Sequence, residues 1–178
     1  MLCYRDGDAG AFDALYARHK GGLYRYLLRQ CREPAAAEEL FQDVWMNLIR
    51  ARAGYTVQAK FTTYLYRLAH NRLIDHYRKH GHAVVTSFDA EEGPDMDDLA
   101  DESGTAPDTA YDVKRQAGEL LRLIAELPPP QREAFLLQQE GGMSVEAIAE
   151  ATGVSRETAE SRLRYALARL RQGMSKWH

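Results

Sequence analysis

Six residues between 156 and 164 have the types and spacing to hold a polyanion and read it. At helical periodicity Arg156, Glu157, Glu160, Ser161 and Arg164 fall on one side of a helix, with Arg162 near its edge. Guanidinium groups bind phosphate oxygens or both acceptors of a guanine edge, a carboxylate accepts from cytosine N4, and hydroxyls serve either role. A second face of this kind is made by Arg67, Asn71, Asp75 and Arg78, which recur at intervals of four, four and three. His70 and Lys79 flank it, and Tyr64 and Tyr66 stand at its start. Here positive charge supplies phosphate affinity and the Asn amide offers a base edge a paired donor and acceptor. The aromatics can stack an unpaired base, an interaction of about 1–3 kcal/mol. For both faces the competing reading is an ordinary solvated helix surface.

Residues for bond-making chemistry are absent by comparison. There is no G-x-x-x-x-G-K-[ST] phosphate loop and no carboxylate cluster on a rigid element. His70, His76, His80 and His82 invite a metal reading, and His76 and His80 share a helical face, but no carboxylate or thiol completes a ligand set. No cofactor, no metal and no catalysis are expected.

The elements that position the two faces read as helices only. Ser144 can cap a short helix that ends at Gly153, and Ser155 can cap the next, whose apolar side is Ala159, Leu163, Ala166, Leu167 and Leu170. Small Ala149 lies a turn before Gly153, where a crossing helix needs room. Two capped helices around a three- to four-residue turn form a helix-turn-helix, whose second helix enters a DNA major groove. The bland alternative is a helical hairpin that merely closes the domain. Upstream, Phe12, Leu15, Tyr16, His19, Leu23, Tyr26 and Leu27 mark one amphipathic helix. Pro34 opens a second with Leu40, Phe41, Val44, Trp45, Leu48 and Ile49 inside, and Glu39, Gln42, Asp43, Met46 and Arg50 outside, with Asn47 nearby. A loop over 52–60 leads to a third helix from Thr62 or Thr63, burying Leu65, Leu68, Ala69, Leu73 and Tyr77. After a gap the helical pattern resumes at Asp112 and stops at Pro128–Pro130, and a further helix, Gln131–Glu140, ends at Gly141–Gly142.

Charge is segregated along the chain. The net formal charge of −3 resolves into +5 over residues 1–80, −10 over 81–112, where Lys and Arg are absent, and +2 over 113–178. Residues 81–111 are acidic and rich in Gly and small polar residues, so they read as a flexible linker with Phe88 and Leu99 as anchor points. The expected architecture is all-α: a helical domain over 1–80, an acidic linker over 81–111 and a helix-turn-helix domain over 112–178. The sequence holds no apolar run of membrane-spanning length and no signal-peptide pattern, and its two cysteines, Cys3 and Cys31, lie far apart. A cytoplasmic protein without membrane insertion is expected.

Taken together, the segments AFDALYARH, AEELFQDVWMNLIRA and KFTTYLYRLAHNRLIDHYRKH resemble region two of bacterial extracytoplasmic-function sigma factors. The segment LIAELPPPQREAFLLQQEGGMSVEAIAEATGVSRETAESRLRYALARLR resembles their region four. The resemblance implies a protein that binds core RNA polymerase, directs it to promoter DNA, melts the minus-ten element, and is held by an anti-sigma factor. It places polymerase contacts at Glu39, Gln42, Asp43 and Asn47. It places minus-ten contacts at Lys60, Tyr64, Arg67, His70, Asn71, Asp75, Arg78 and Lys79, with the loop before them pocketing a flipped base. Minus-thirty-five contacts fall on Arg156, Glu157, Thr158, Glu160, Ser161, Arg162 and Arg164. Tyr64 stands where the family commonly has Trp, and Glu160 where a basic residue is common. Glu160 either accepts from cytosine or pairs with Arg156 or Arg164, four residues away on either side. Two other functions fit the residues alone: a stand-alone helix-turn-helix regulator, and an interaction protein that touches no DNA.

Overall fold

The computed structural model describes residues 1–80 and 110–175. Among them the elements are α1 (Leu2–Arg5), α2 (Ala9–Cys31), α3 (Pro34–Arg50), a 3-10 turn (Arg52–Gly54), α4 (Phe61–Lys79), α5 (Ala110–Glu126), α6 (Pro129–Gly141), α7 (Val145–Thr152) and α8 (Arg156–Met174). The expected linker with its Phe88 and Leu99 anchors, and His82, lie outside the described residues.

The first lobe is built by α1 to α4. Asp8 caps α2 by accepting from the Ala11 amide at 3.2 Å, and Pro34 sits in the first turn of α3, where a missing N–H costs nothing. The apolar stripes of α2, α3 and α4 close on one another around Leu23, Leu27, Ala37, Val44, Leu48, Leu65, Ala69 and Leu73, all buried. At one end an aromatic cluster forms: Trp45 packs edge-on to Phe12, Tyr16 and Phe41 at centroid distances of 5.8, 5.0 and 6.2 Å. The short α1 had no periodicity long enough to be read from sequence. It is held by Tyr4, tilted on Phe12 at 5.1 Å and covered by the Arg52 guanidinium at 5.2 Å.

The second lobe is built by α5 to α8. Leu136, Leu137, Ile148, Ala159, Leu163, Ala166 and Leu170 make its core. The proline run behaves as expected with a shift in register: α6 begins at Pro129, so Pro130 is its second residue and Gln131 already lies inside. The helix expected from Asp112 begins at Ala110, and that expected from Thr62 or Thr63 begins at Phe61. At the far end Gly173 of α8 meets Leu123 of α5 so closely that an added Cβ would stand 2.5 Å from Leu123 Cδ2.

The two lobes are not held apart. Helix α6 packs on α2 and α4, and α7 packs on α4, so the second lobe covers one side of the first. Two glycines permit this approach: a Cβ on Gly22 would meet the Glu140 carbonyl and the Tyr66 hydroxyl at 3.0 Å each, and one on Gly141 would meet Tyr66 at 3.1 Å. Replacing Gly22 with Leu favours α2 locally by about 0.8 kcal/mol but overfills this contact at a cost of about 1–3 kcal/mol. Gly22→Leu is therefore expected to retain helicity by circular dichroism while the radius of gyration in solution scattering rises. An unchanged radius would show that the contact repacks.

Candidate nucleic-acid interface

The helix-turn-helix forms as its residues dictate. Ser144 Oγ accepts from the Ala147 amide at 3.3 Å, and Ser155 Oγ from the Thr158 amide at 3.1 Å, so both helix starts are capped by side chains. Gly153 takes the left-handed conformation at φ 70°, and its amide returns to the Ala149 carbonyl at 2.9 Å. Ala149 is buried where the helices cross. On α8, Arg156, Glu157, Glu160 and Arg164 are exposed, while Thr158, Ser161 and Arg162 are half-buried. Of the two partners open to Glu160, the structure selects Arg156, at 3.8 Å. Arg156 also spans the motif to Glu146 of α7 at 2.8 Å. Hydrogen bonding from Arg156, with the backbone and Ser144, lowers the Glu146 pKa to about 2. Arg164 instead lies over the Tyr165 ring at 5.2 Å.

On α4 the expected face divides. Asn71, Arg78 and Lys79 are exposed, and Lys60 stands exposed at the N-cap. Asp75 is placed between Arg72 at 3.7 Å and Arg78 at 3.9 Å, and Arg67 is 3.9 Å from Glu150 of α7. Tyr64 meets Tyr55 edge-on at 5.1 Å beside an open cavity of about 420 Å³ lined by Arg50, Tyr55, Thr56, Gln58, Tyr64 and Arg67. The other part of the face is covered. His70 has only 12% of its side chain exposed, and Tyr66 is 2% exposed, edge-on to Tyr26 at 5.4 Å. The reading of Tyr66 as an open stacking aromatic is therefore corrected for this arrangement: it belongs to a second buried stripe, Tyr66, His70 and Tyr77, that faces the second lobe.

That second lobe meets the stripe with polar residues, which sequence reasoning missed. Arg132 and Glu133 are 4% and 1% exposed in the first turns of α6. Glu133 Oε1 accepts from the Tyr26 hydroxyl at 2.5 Å and pairs with His70 Nδ1 at 2.8 Å. Arg132 donates to Gln30 Oε1 at 3.2 Å and to the Ala125 carbonyl at 3.1 Å, tying the end of α5 to α2. The Tyr77 hydroxyl donates to the Gln30 carbonyl at 3.0 Å, and burial pushes its pKa up to about 12. Glu140 closes the far end against Arg25 at 2.8 Å and Arg29 at 2.6 Å. The signal was present: Gln131, Arg132 and Glu133 stand in a row between the prolines and the apolar run 134–137. On α3, Glu39, Gln42, Asp43, Met46 and Arg50 are exposed and Asn47 is half-buried, on a face the second lobe leaves open. The His76 and His80 rings lie 4.2 Å apart, tilted by 37°, and no cluster of three metal-ligating residues occurs among the described residues.

A two-lobed helical body with a capped helix-turn-helix in one lobe and a basic, aromatic-edged helix in the other is the architecture of a promoter-recognition factor. Residues 15–83 match Sigma-70 region 2 and residues 117–170 match Sigma-70 region 4. The chain is 32% identical to the RNA polymerase sigma factor CarQ of Myxococcus xanthus, over 97% of this chain and 94% of that one. It is 31% identical to the ECF sigma factor RpoE of Cereibacter sphaeroides, over 98% of this chain and 93% of that one. In fold it resembles the sigma factor RpoE solved with the anti-sigma factor NepR from Bartonella quintana, at TM-score 0.67, 20% identity, and coverage of 93% of this chain and 97% of that one. CnrH, solved with the cytosolic domain of CnrY, gives 0.65 and 19%, over 97% of this chain and 92% of that one. The chain belongs to the extracytoplasmic-function family of RNA polymerase sigma factors. Its function is to bind core RNA polymerase and direct promoter-specific initiation. Among the described residues no helix is long and apolar enough to cross a membrane.

The buried pair gives the packed form a pH dependence. Burial works against a charged His70 and Arg162 adds to that, but the charge and hydrogen bond of Glu133 outweigh both and raise the pKa above its ordinary 6.5. A raised histidine pKa contributes fully below 6.5 and is lost as pH climbs through the raised value. Fluorophores on the two lobes should therefore report closer packing at about pH 6 than at about pH 9, and His70→Gln should flatten the curve. A wild-type signal independent of pH would remove the pair from lobe packing.

Proposed function

We propose that the two lobes divide promoter recognition between them and part to perform it. In this reading residues 1–80 form a polymerase- and minus-ten-binding domain, 112–178 form a minus-thirty-five-binding domain, and 81–111 join them. The α3 face of Glu39, Gln42, Asp43 and Asn47 docks on core polymerase. The α4 face of Lys60, Tyr64, Arg67, His70, Asn71, Asp75, Arg78 and Lys79 takes the opened minus-ten strand, and the cavity beside Tyr64 receives a flipped base. On α8, Arg156, Glu157, Thr158, Glu160, Ser161, Arg162 and Arg164 face the upstream duplex.

The observation that carries this reading is which surfaces the fold leaves open. Gln42 and Asp43 on α3, Asn71 and Arg78 on α4, and Arg156 and Arg164 on α8 are all exposed on rigid helices. Scale requires the parting. Elements twenty-five base pairs apart are separated by roughly 85 Å of duplex at about 3.4 Å per step. A compact body of this length is only roughly 40 Å across. The packed form, with His70 covered, is then a resting state. An anti-sigma factor acting on a cytoplasmic protein would hold this chain as NepR accompanies the sigma factor RpoE solved with it.

Asp43→Arg combined with Gln42→Ala should abolish co-purification with core polymerase at unchanged helicity; undiminished binding would take α3 out of the interface. Asn71→Ala should bind closed promoter like the parent but show less permanganate reactivity in the minus-ten strand, and a pre-opened bubble should restore transcription where no base contact is needed. Parental opening by Asn71→Ala would reduce this part of α4 to a solvated face. The overall test is in vitro transcription with core polymerase on a genomic library, with transcript starts mapped.

A further inference from the structure

Arg18, Arg25 and Arg29 fall within about 40° of the circumference of α2 at about 100° per residue. The acidic residue of that helix, Asp13, lies on the far side. Arg25 and Arg29 converge on one carboxylate: Arg25 Nε reaches Glu140 Oε2 at 2.9 Å and Arg29 reaches Glu140 Oε1 at 2.6 Å. The guanidinium side chains are 54% and 30% exposed, whereas Glu140 is 7% exposed. Glu140 also sits in the last turn of α6, so the negative end of a helix dipole is delivered to the same place. Gly22, on the same side of α2, leaves room for that approach.

The rest of the covered side repeats the arrangement. Glu133 is set against His70, and Glu150 against Arg67. Arg25, Arg29, Arg67 and His70 thus each meet a carboxylate of α6 or α7. Charge-assisted pairs of guanidinium with carboxylate and with phosphate share their geometry. We infer that Arg25 and Arg29 are a phosphate-binding pair for promoter DNA, and that Glu140 occupies their site while the lobes are packed. Parting the lobes then exposes Arg25 and Arg29 beside Arg67 and His70 as one basic surface running from α2 to α4. The phosphate pair extends the minus-ten face onto a helix that the family resemblance does not assign to DNA. This inference rests on the sigma-factor reading and on the parting of the lobes.

The experiment must separate contact with DNA from simple holding of the lobes. Glu140→Gln removes the competing charge and leaves at most a neutral hydrogen bond, so in that background the salt slope of Arg25→Ala with Arg29→Ala reads the phosphates the arginines touch. Holoenzyme is reconstituted from each full-length variant and core polymerase, and assembly is checked by co-elution. Binding to a fluorescein-labelled promoter fragment, selected in vitro by the parent holoenzyme, is then measured across salt. The expected result is tighter binding by Glu140→Gln than by the parent. Adding the two Arg→Ala changes should make the slope of log K against log salt shallower by about 1.4–1.8. Between about 50 and 200 mM salt that is a loss of affinity roughly tenfold smaller. Arg25→Lys with Arg29→Lys should restore the slope. Equal slopes with and without the arginines overturn the inference and leave Glu140 a purely intramolecular partner. An effect confined to assembly with core polymerase also overturns it, in favour of a protein contact. Failure of the parent itself to assemble with core polymerase overturns the sigma-factor reading and this inference together.

Discussion

Glu133 is a carboxylate buried to 1% exposure, and its partners, Tyr26 and His70, belong to the other lobe. A buried carboxylate without partners is costly enough that the chain must either supply them or expose it. That requirement places the first turns of α6 against α2 and α4, and the rest of the packing follows. Arg132, next in sequence, is carried between Gln30 and the last carbonyls of α5, which fixes the turn at the prolines. Glu140, two turns on, is carried to Arg25 and Arg29. One helix thus serves as core for its own lobe through Leu136 and Leu137 and as a polar face for the other.

A permanent contact of this kind would be expected to be apolar, because hydrophobic pairing holds without demanding exact partners. This one is polar and incompletely satisfied: the Gln30 amide nitrogen, beside Arg132, is buried without a hydrogen-bond partner. Such a group costs about 1–3 kcal/mol relative to its hydrated state. Water would satisfy it if the lobes moved apart. The contact is therefore opposed by one of its own groups, which fits the proposal that the lobes part to work.

Much of this was legible in the residues and some was not, for physical reasons. Ser144, Gly153 and Ser155 act locally, through their own backbone neighbours, so the helix-turn-helix could be read from spacing alone. The cores of α3 and α8 followed from a single apolar stripe each. Helix α4 was half legible because it carries two stripes. The stripe of Leu65, Ala69, Leu73 and Tyr77 reads as buried, whereas Tyr66 and His70 mix ring surface with polar ends and resemble a solvated or ligand-facing side. What distinguishes the readings is whether another lobe supplies Glu133 and Glu140, a fact more than sixty residues away in the chain. Glu160 shows the same limit at short range: two arginines stood at equal spacing, and the crossing of α7, which brings Glu146 to Arg156, drew the choice to one.

The tyrosines at the junction have a thermal consequence. Tyr26, Tyr66 and Tyr77 give the contact ring area, but each brings a hydroxyl, and around them lie Gln30, Arg132, Glu133 and Glu140. Exposing apolar surface raises heat capacity and exposing polar surface lowers it, so a mixed face largely cancels. Melting either lobe releases leucines and carries the usual strong curvature with temperature. Parting the lobes releases a mixture and carries little. The balance between packed and parted forms should consequently follow a nearly straight van't Hoff line governed by a single enthalpy, where the melting of either lobe follows a dome.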